Sequence, residues 1–170
     1  WNRKFNLTGL KDRGRILVEL FLDSLLPSPF LPGEGDLLDV GSGAGFPGLP
    51  LKIHCPPRNT FLLEPNSKKV SFLRHVIRKT KLKGVQTIKD RVEHLPKEVR
   101  YDTVVARALA ELGQVLDLCA PLVRQGGLLV LYLGARAGMQ LKESERLVAN
   151  HRLGLSKRLC YTLPGNRSER

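Results

Sequence analysis

Asp36-Leu37-Leu38-Asp39-Val40-Gly41-Ser42-Gly43-Ala44-Gly45-Phe46-Pro47-Gly48 reads as a short buried strand that runs into a glycine-rich turn and then a helix. Gly41, Gly43 and Gly45 stand at alternate positions, where they let the backbone bend with positive φ and leave no side chain in the way of a ligand. In open α/β sheets, such a turn at the carboxyl end of a parallel strand is where nucleoside cofactors bind. The dinucleotide fingerprint requires G-x-G-x-x-G, and here Phe46 stands where its third glycine would fall. Pro47 and Pro50 occupy the first turn of the helix and remove N–H groups that a pyrophosphate would need. A ligand with an adenosine and a small carboxylate but no phosphate fits better, and S-adenosylmethionine is the common ligand of that description. The competing reading is a tight strand-to-helix turn with no ligand, in which so many glycines would cost stability without serving a close approach.

Outward from this turn, strands and helices alternate. Ile16, Leu17, Leu20, Phe21 and Leu25 fall at helical spacing over 11–26, and Pro27 and Pro29 end the run. Strand one is 36–40, followed by a short helix from Pro47 to His54 and a second strand over 59–64. Asn66 caps a helix over 67–82 with an apolar stripe of Val70, Leu73, Val76 and Ile77, ended by Gly84. Strands follow at 85–89 and 101–106, then a helix over 110–123 ended by Gly126-Gly127, a fifth strand at 128–133, a polar helix over 137–150 and a weaker strand near 156–163. This alternation predicts an α/β fold with a doubly wound, mostly parallel sheet. The length of 170 residues suits one domain, with 1–30 as a helical lead-in and 31–170 as the α/β core. The chain begins at Trp1 rather than Met, so an upstream piece is expected to be missing.

The charge is less ordinary than the 42% apolar content: 28 Lys+Arg against 16 Asp+Glu leave a net +12. A polyanionic partner follows, nucleic acid before an acidic membrane surface. Cys55, Cys119 and Cys160 are odd in number and widely spaced, giving neither a disulfide framework nor a metal site, and all three read as small core residues. No apolar run reaches membrane-spanning length and no signal peptide is visible, so the expectation is a cytoplasmic protein without membrane or metal partners.

Glu64 ends strand two, where an acid can accept hydrogen bonds from ribose hydroxyls. Asp90-Arg91-Val92-Glu93 follows strand three, and Val92 there could cover an adenine ring. Arg107 follows the buried fourth strand; it is expected to meet the cofactor or an RNA phosphate, with an ion pair to Glu111 as the plainer reading. From Lys68 to Arg91 nine basic side chains face one acid, Asp90. That is either a solvated helix face or a phosphate-binding stripe. Neither an Asn/Asp-Pro-Pro-aromatic tetrapeptide nor a Pro-Cys pair stands at the sheet's carboxyl edge. What remains is attack by an atom already nucleophilic, such as guanine N7, which needs alignment and no general base. No catalytic residue is assigned.

Asn6-Leu7-Thr8, Leu22-Asp23-Ser24-Leu25, the stretch from Leu38 to Gly48, Lys68-Lys69-Val70-Ser71-Phe72-Leu73, Arg91-Val92-Glu93 and Ala106-Arg107-Ala108 occur in that order. In order and spacing the set resembles the bacterial small-subunit ribosomal RNA guanine-N7 methyltransferases, the glucose-inhibited division protein B family, over nearly the whole chain. The resemblance implies a Rossmann-like class I S-adenosylmethionine-dependent methyltransferase. Gly41 and Phe46 would contact the cofactor from the first turn, Val92 and Glu93 from the loop after strand three, and Arg107 from the end of strand four. The substrate would be a guanine of small-subunit ribosomal RNA, naked or in the ribosomal subunit, and the expected state is a monomer. The family's Lys-Gly after strand five is Leu133-Gly134 here, and its Arg-His before Leu-Asp-Ser is Glu19-Leu20; both bear on RNA placement more than on cofactor binding. Part of an N-terminal helix and a last strand beside strand five are expected to be lacking. The alternatives are a small-molecule methyltransferase and a catalytically decayed RNA-binding relative, with a nicotinamide dehydrogenase behind both.

Overall fold

A computed structural model of the chain describes residues 7–56, 58–107, 111–133 and 141–165. One parallel sheet contains β1 (Asp36–Val40), β2 (Asn59–Leu63), β3 (Val85–Ile88), β4 (Tyr101–Arg107) and β5 (Val123–Tyr132), in the order β3-β2-β1-β4-β5. The winding reverses between β1 and β4, which opens a crevice at their carboxyl ends. Val40 lies opposite Leu63 on one side and Ala106 on the other, so the turn after β1 is flanked by Glu64 and Arg107.

Helix α1 runs through three consecutive segments, Arg13–Ile16, a π-bonded Leu17–Leu22, and Asp23–Leu25. It starts on Asp12, whose carboxylate accepts the Arg15 N–H at 2.8 Å. Helix α2 is Gly48–His54, α3 is Ser67–Thr80, α4 is Leu112–Cys119 and α5 is Leu141–Asn150. The Asn66 side chain caps α3 by accepting the N–H groups of Lys68 and Lys69 at 2.9 and 3.3 Å, and the expected stripe turns inward, with Val70 and Leu73 buried. Both faces of the central strands are covered, as a parallel sheet requires. Leu38, Val40, Val104 and Ala106 pack with Val115 and Cys119 of α4, while Leu37 and Val105 pack with Leu51 of α2 and Leu25 of α1.

Several expectations are corrected. Helix α4 ends at Cys119, and a 3₁₀ turn, Ala120–Leu122, leads straight into β5, which starts five residues before the expected 128. Gly126-Gly127 therefore do not stop a helix; they sit inside β5, where its register against Tyr101 and Thr103 shifts. Gly126 has φ +74°, and a Cβ on Gly127 would lie 2.9 Å from the carbonyl oxygens of Asp102 and Arg124. Helix α3 stops at Thr80 because Lys81 adopts left-handed geometry (φ 53°), leaving Gly84 to turn the chain into β3. The segment near 156–163 forms no strand of the sheet; Leu163 is buried and Tyr161 bonds α1, while most of the stretch is exposed and offers no alternating apolar face. Residue 110 of one expected helix and residues 137–140 of another lie outside the described residues. Of the cysteines only Cys119 is a core residue; Cys55 is half-buried and Cys160 exposed.

Gly45 carries φ +92°, and a Cβ there would stand 2.9 Å from Leu49 Cγ and 3.1 Å from Leu73 Cδ2. Gly45→Ala is expected to lower stability by about 3 kcal/mol, from backbone strain and overpacking together. Gly154→Ala, with nothing within 4 Å, should change it by less than about 0.5 kcal/mol. Urea unfolding measures both.

Candidate functional site

The turn after β1 uses its own N–H groups. Gly41 and Ser42 both donate to the Leu63 carbonyl at 2.9 and 3.0 Å, and Gly45 and Phe46 donate to the Ser42 carbonyl at 2.7 and 3.1 Å. Gly43 N–H goes to Glu64 Oε2 and Gly48 N–H to Asp39 Oδ2, each at 2.9 Å. Leu49 N–H returns to the Gly45 carbonyl at 2.8 Å. Pro47 and Pro50 have no N–H to give. From Gly41 to Leu49 only the Ala44 N–H has no such acceptor among the described residues. A pyrophosphate cradle needs free, outward N–H groups; here they are spent inward, and two of the acceptors are carboxylates.

Those carboxylates set the local electrostatics. Asp39 is fully buried, and its Oδ1 has no partner among the described residues. Burial pushes its carboxyl up to about 7, against the opposing pull of the Gly48 N–H and the Arg107 charge. Glu64 is buried too, 4% exposed at the end of β2. Its Oε1 accepts the Asn66 N–H at 2.9 Å, so one carboxylate ties the glycine turn to the start of α3.

The alternate glycines do different work. A Cβ on Gly48 would meet Leu62 Cδ2 at 2.6 Å and Asp39 Oδ2 at 2.7 Å, and Gly45 faces Leu49 and Leu73. Gly43 (φ +58°) has open space beside it, its nearest heavy atom 3.8 Å from a built Cβ. Gly41 bends at φ 72° directly after β1. Phe46 meets Phe21 of α1 edge to face, with centroids 4.8 Å apart. Val92 and Glu93 lie in a 3₁₀ turn, Val92–His94, after β3. Val92 packs on the cluster containing Val40, Leu63 and Ala106, which places it at the same rim, while Glu93 is exposed.

Arg107 is built differently from the expectation. Its guanidinium pairs with Asp23, not Glu111: Nη2 lies 3.1 Å from Asp23 Oδ2 and donates to Ser24 Oγ at 3.1 Å. Nη1 donates to the Glu19 carbonyl at 3.3 Å, and the group stacks 4.5 Å above the Tyr132 ring. Tyr132 donates its hydroxyl to the Ser24 carbonyl at 2.7 Å, and Tyr161 donates to Asp23 Oδ1 at 2.6 Å. Arg107 thus borders Gly41 through its strand position while its side chain docks α1 onto the rim. Sequence reading missed Asp39, Asp23, Tyr132 and Tyr161 as parts of the site. The available signal was a carboxylate inside an otherwise apolar run, at Asp39 within β1 and at Asp23 between Leu22 and Leu25.

A cavity of about 360 Å³ lies away from the turn, between α1 and Pro164, where Arg15 and Glu19 are already paired at 2.7 Å. Among the described residues no group of three or more His, Cys, Asp or Glu is placed to hold a metal ion, and no helix is long and apolar enough to cross a membrane.

The family described as GidB, rRNA small subunit methyltransferase G, matches residues 1–161. The chain is 40% identical over 149 residues to the ribosomal RNA small subunit methyltransferase G of Alkaliphilus metalliredigens, covering 84% of this chain and 61% of that protein. It is 34% identical over 176 residues to the protein of the same name from Lachnoclostridium phytofermentans, covering 100% and 73%. It therefore spans under two thirds of the length of the Alkaliphilus relative. In fold it is similar to M. jannaschii TYW2 in complex with AdoMet (TM-score 0.64, 16% identity, 84% of this chain and 64% of that one). It is similar also to the ribosomal protein L11 methylase of Lactobacillus delbrueckii (TM-score 0.64, 14% identity, 85% and 72%).

Asp39 holds its proton more tightly folded than unfolded. The stability this contributes is full below the ordinary value of 3.8 and is lost as the pH rises through about 7. Across that window the wild type should lose melting temperature relative to Asp39→Asn; parallel pH profiles would contradict the assignment. Arg107→Ala leaves the buried Asp23 carboxylate without its cation, and chemical denaturation should show a loss of about 3 kcal/mol. That loss should shrink when Asp23→Asn is combined with it.

Proposed function

The chain belongs to the rRNA small subunit methyltransferase G family, and we propose that it transfers a methyl group from S-adenosylmethionine to N7 of a guanine in small-subunit ribosomal RNA. The observation that carries this reading is the inward use of the turn's N–H groups, with Asp39 and Glu64 among the acceptors. A phosphate-bearing cofactor would find few donors there and would meet negative charge. A sulfonium nucleoside has no phosphate, carries a positive charge and presents a ribose diol. The AdoMet carried by the M. jannaschii neighbour supports the same choice.

When bound, S-adenosylmethionine supplies an electrophilic methyl group on a positively charged sulfur. Beyond its bonds to the Gly43 and Asn66 N–H groups, each Glu64 oxygen keeps acceptor capacity for a ribose hydroxyl. Gly41 and Gly43 let a ligand lie against the main chain, with Gly45 shaping the turn behind them. Phe46, steadied by Phe21, walls one side. Val92 covers an adenine face, Glu93 joins it from the same turn after β3, and Arg107 completes the set from the end of β4. No residue is needed as a general base, because guanine N7 offers an in-plane lone pair with no proton to remove; orientation is the requirement.

The RNA, alone or in the small subunit, meets the basic face that starts beside Glu64. Lys68, Arg74, Arg78, Lys79, Lys81, Lys83, Lys89 and Arg91 are exposed along and after α3. In this reading residues 1–170 act as one domain of a monomeric cytoplasmic enzyme.

Calorimetry should show saturable binding of S-adenosylmethionine, weakened about tenfold or more in Glu64→Ala. A tritium-labelled methyl donor should label small-subunit RNA or particles, with RNA affinity falling steeply as salt rises. Absence of any saturable heat would favour a decayed relative; a salt-independent substrate would favour a small-molecule methyltransferase.

A further inference from the structure

On the rim opposite the glycine turn, the chain leaves α2 at His54 and enters β2 at Asn59. Arg58, the residue before that strand, is only 2% exposed. Its Nε is buried with no hydrogen-bond partner, and the guanidinium has no ion pair among the described residues. A guanidinium does not shed its proton, and an unpaired buried charge costs several kcal/mol. Arg58 lines a cavity of about 170 Å³ together with Ser28, Leu31, Leu51, His54 and Cys55.

The surroundings select the sign of an occupant. Among the described residues no carboxylate lines the cavity. Besides the Cys55 thiol, the acid that acts on Arg58 is the Asp102 carboxylate, whose oxygens are already engaged by the Asp36 N–H at 2.6 Å and by Arg124 at 2.7 Å. Lys52, 4% exposed, donates its ammonium to the carbonyls of Pro56 and Arg58, so a second buried cation lies close by. Ser28 and His54 offer further donors on the cavity wall. The flat fork of a guanidinium matches the spacing of oxygens on a tetrahedral oxyanion.

We propose that this cavity is a phosphate site, separate from the glycine-turn crevice, in which Arg58 binds the oxyanion and Ser28 and His54 assist. The phosphate comes either from a free phosphate or phosphomonoester or from the backbone of a polynucleotide. The site needs no S-adenosylmethionine, so its test is independent of the methyl-transfer reading.

Cys55 on the same wall is the reporter. Its rate of alkylation by iodoacetamide is read by peptide mass spectrometry, with the exposed Cys160 as internal control and chloride at matched ionic strength as the blank. Inorganic phosphate should slow Cys55 alkylation about tenfold when present at ten times its Kd, leaving Cys160 unchanged. Arg58→Leu removes the buried charge in favour of an apolar side chain and should abolish the protection; Arg58→Lys should keep part of it. Protection by a short single-stranded RNA but not by inorganic phosphate assigns the site to a polynucleotide backbone. If neither probe protects the wild type, or if both protect Arg58→Leu equally, the proposal is overturned.

Discussion

The site depends on one arrangement: two carboxylates that face into a glycine turn and take its N–H groups. Glu64 reaches from the end of β2 to Gly43, and Asp39 reaches from within β1 to Gly48, nine residues ahead. Each bond joins the turn to the sheet or to the helix that follows. A turn whose donors pointed outward would attract anions, whereas this one has turned its donors inward, onto Asp39 beneath it and Glu64 beside it. The cost is visible in Asp39, a buried acid with one oxygen unpartnered and its carboxyl pushed up to about 7.

The frame of the fold was legible from local chemistry. β1 falls at Asp36–Val40 as read, because its buried run ends abruptly at Gly41, and α3 begins at the Asn66 cap as read. The errors arose where a residue's meaning depended on a distant partner. Gly126-Gly127 look like a helix stop, yet a side chain at Gly127 would strike the backbone of Asp102 in the neighbouring strand. Tyr161 and Leu163 lie in a segment that reads as a strand, but one bonds a carboxylate in α1 and the other is buried beside an otherwise exposed stretch. Pairing across the sheet and docking onto a helix leave no periodic trace.

The candidate site was legible in the same measure. Spacing set Gly41, Gly43 and Glu64 at the ends of neighbouring strands, and Phe46 entered only through the family resemblance. Sequence also argued against a phosphate from two prolines, and the structure adds the stronger reason of inward donation. Arg107 was found, but its partner was not. Glu111 is near in sequence, whereas Asp23 is near in space, and β4 carries the guanidinium against α1. A carboxylate between Leu22 and Ser24 of a helix is a weak sign when its cation lies in a distant strand.

Asp23 has a consequence for the order in which the molecule matures on the ribosome. Its helix neighbour Ser24 is joined to Arg107 across 83 residues, and its own bond to Tyr161 spans 138. During synthesis, α1 emerges long before either partner does. Docking α1 at that stage would desolvate the Asp23 carboxylate before Arg107 and Tyr161 exist to bond it. The full set of bonds that docks α1 onto the rim is therefore available only after β4 and the segment that carries Tyr161 have been made.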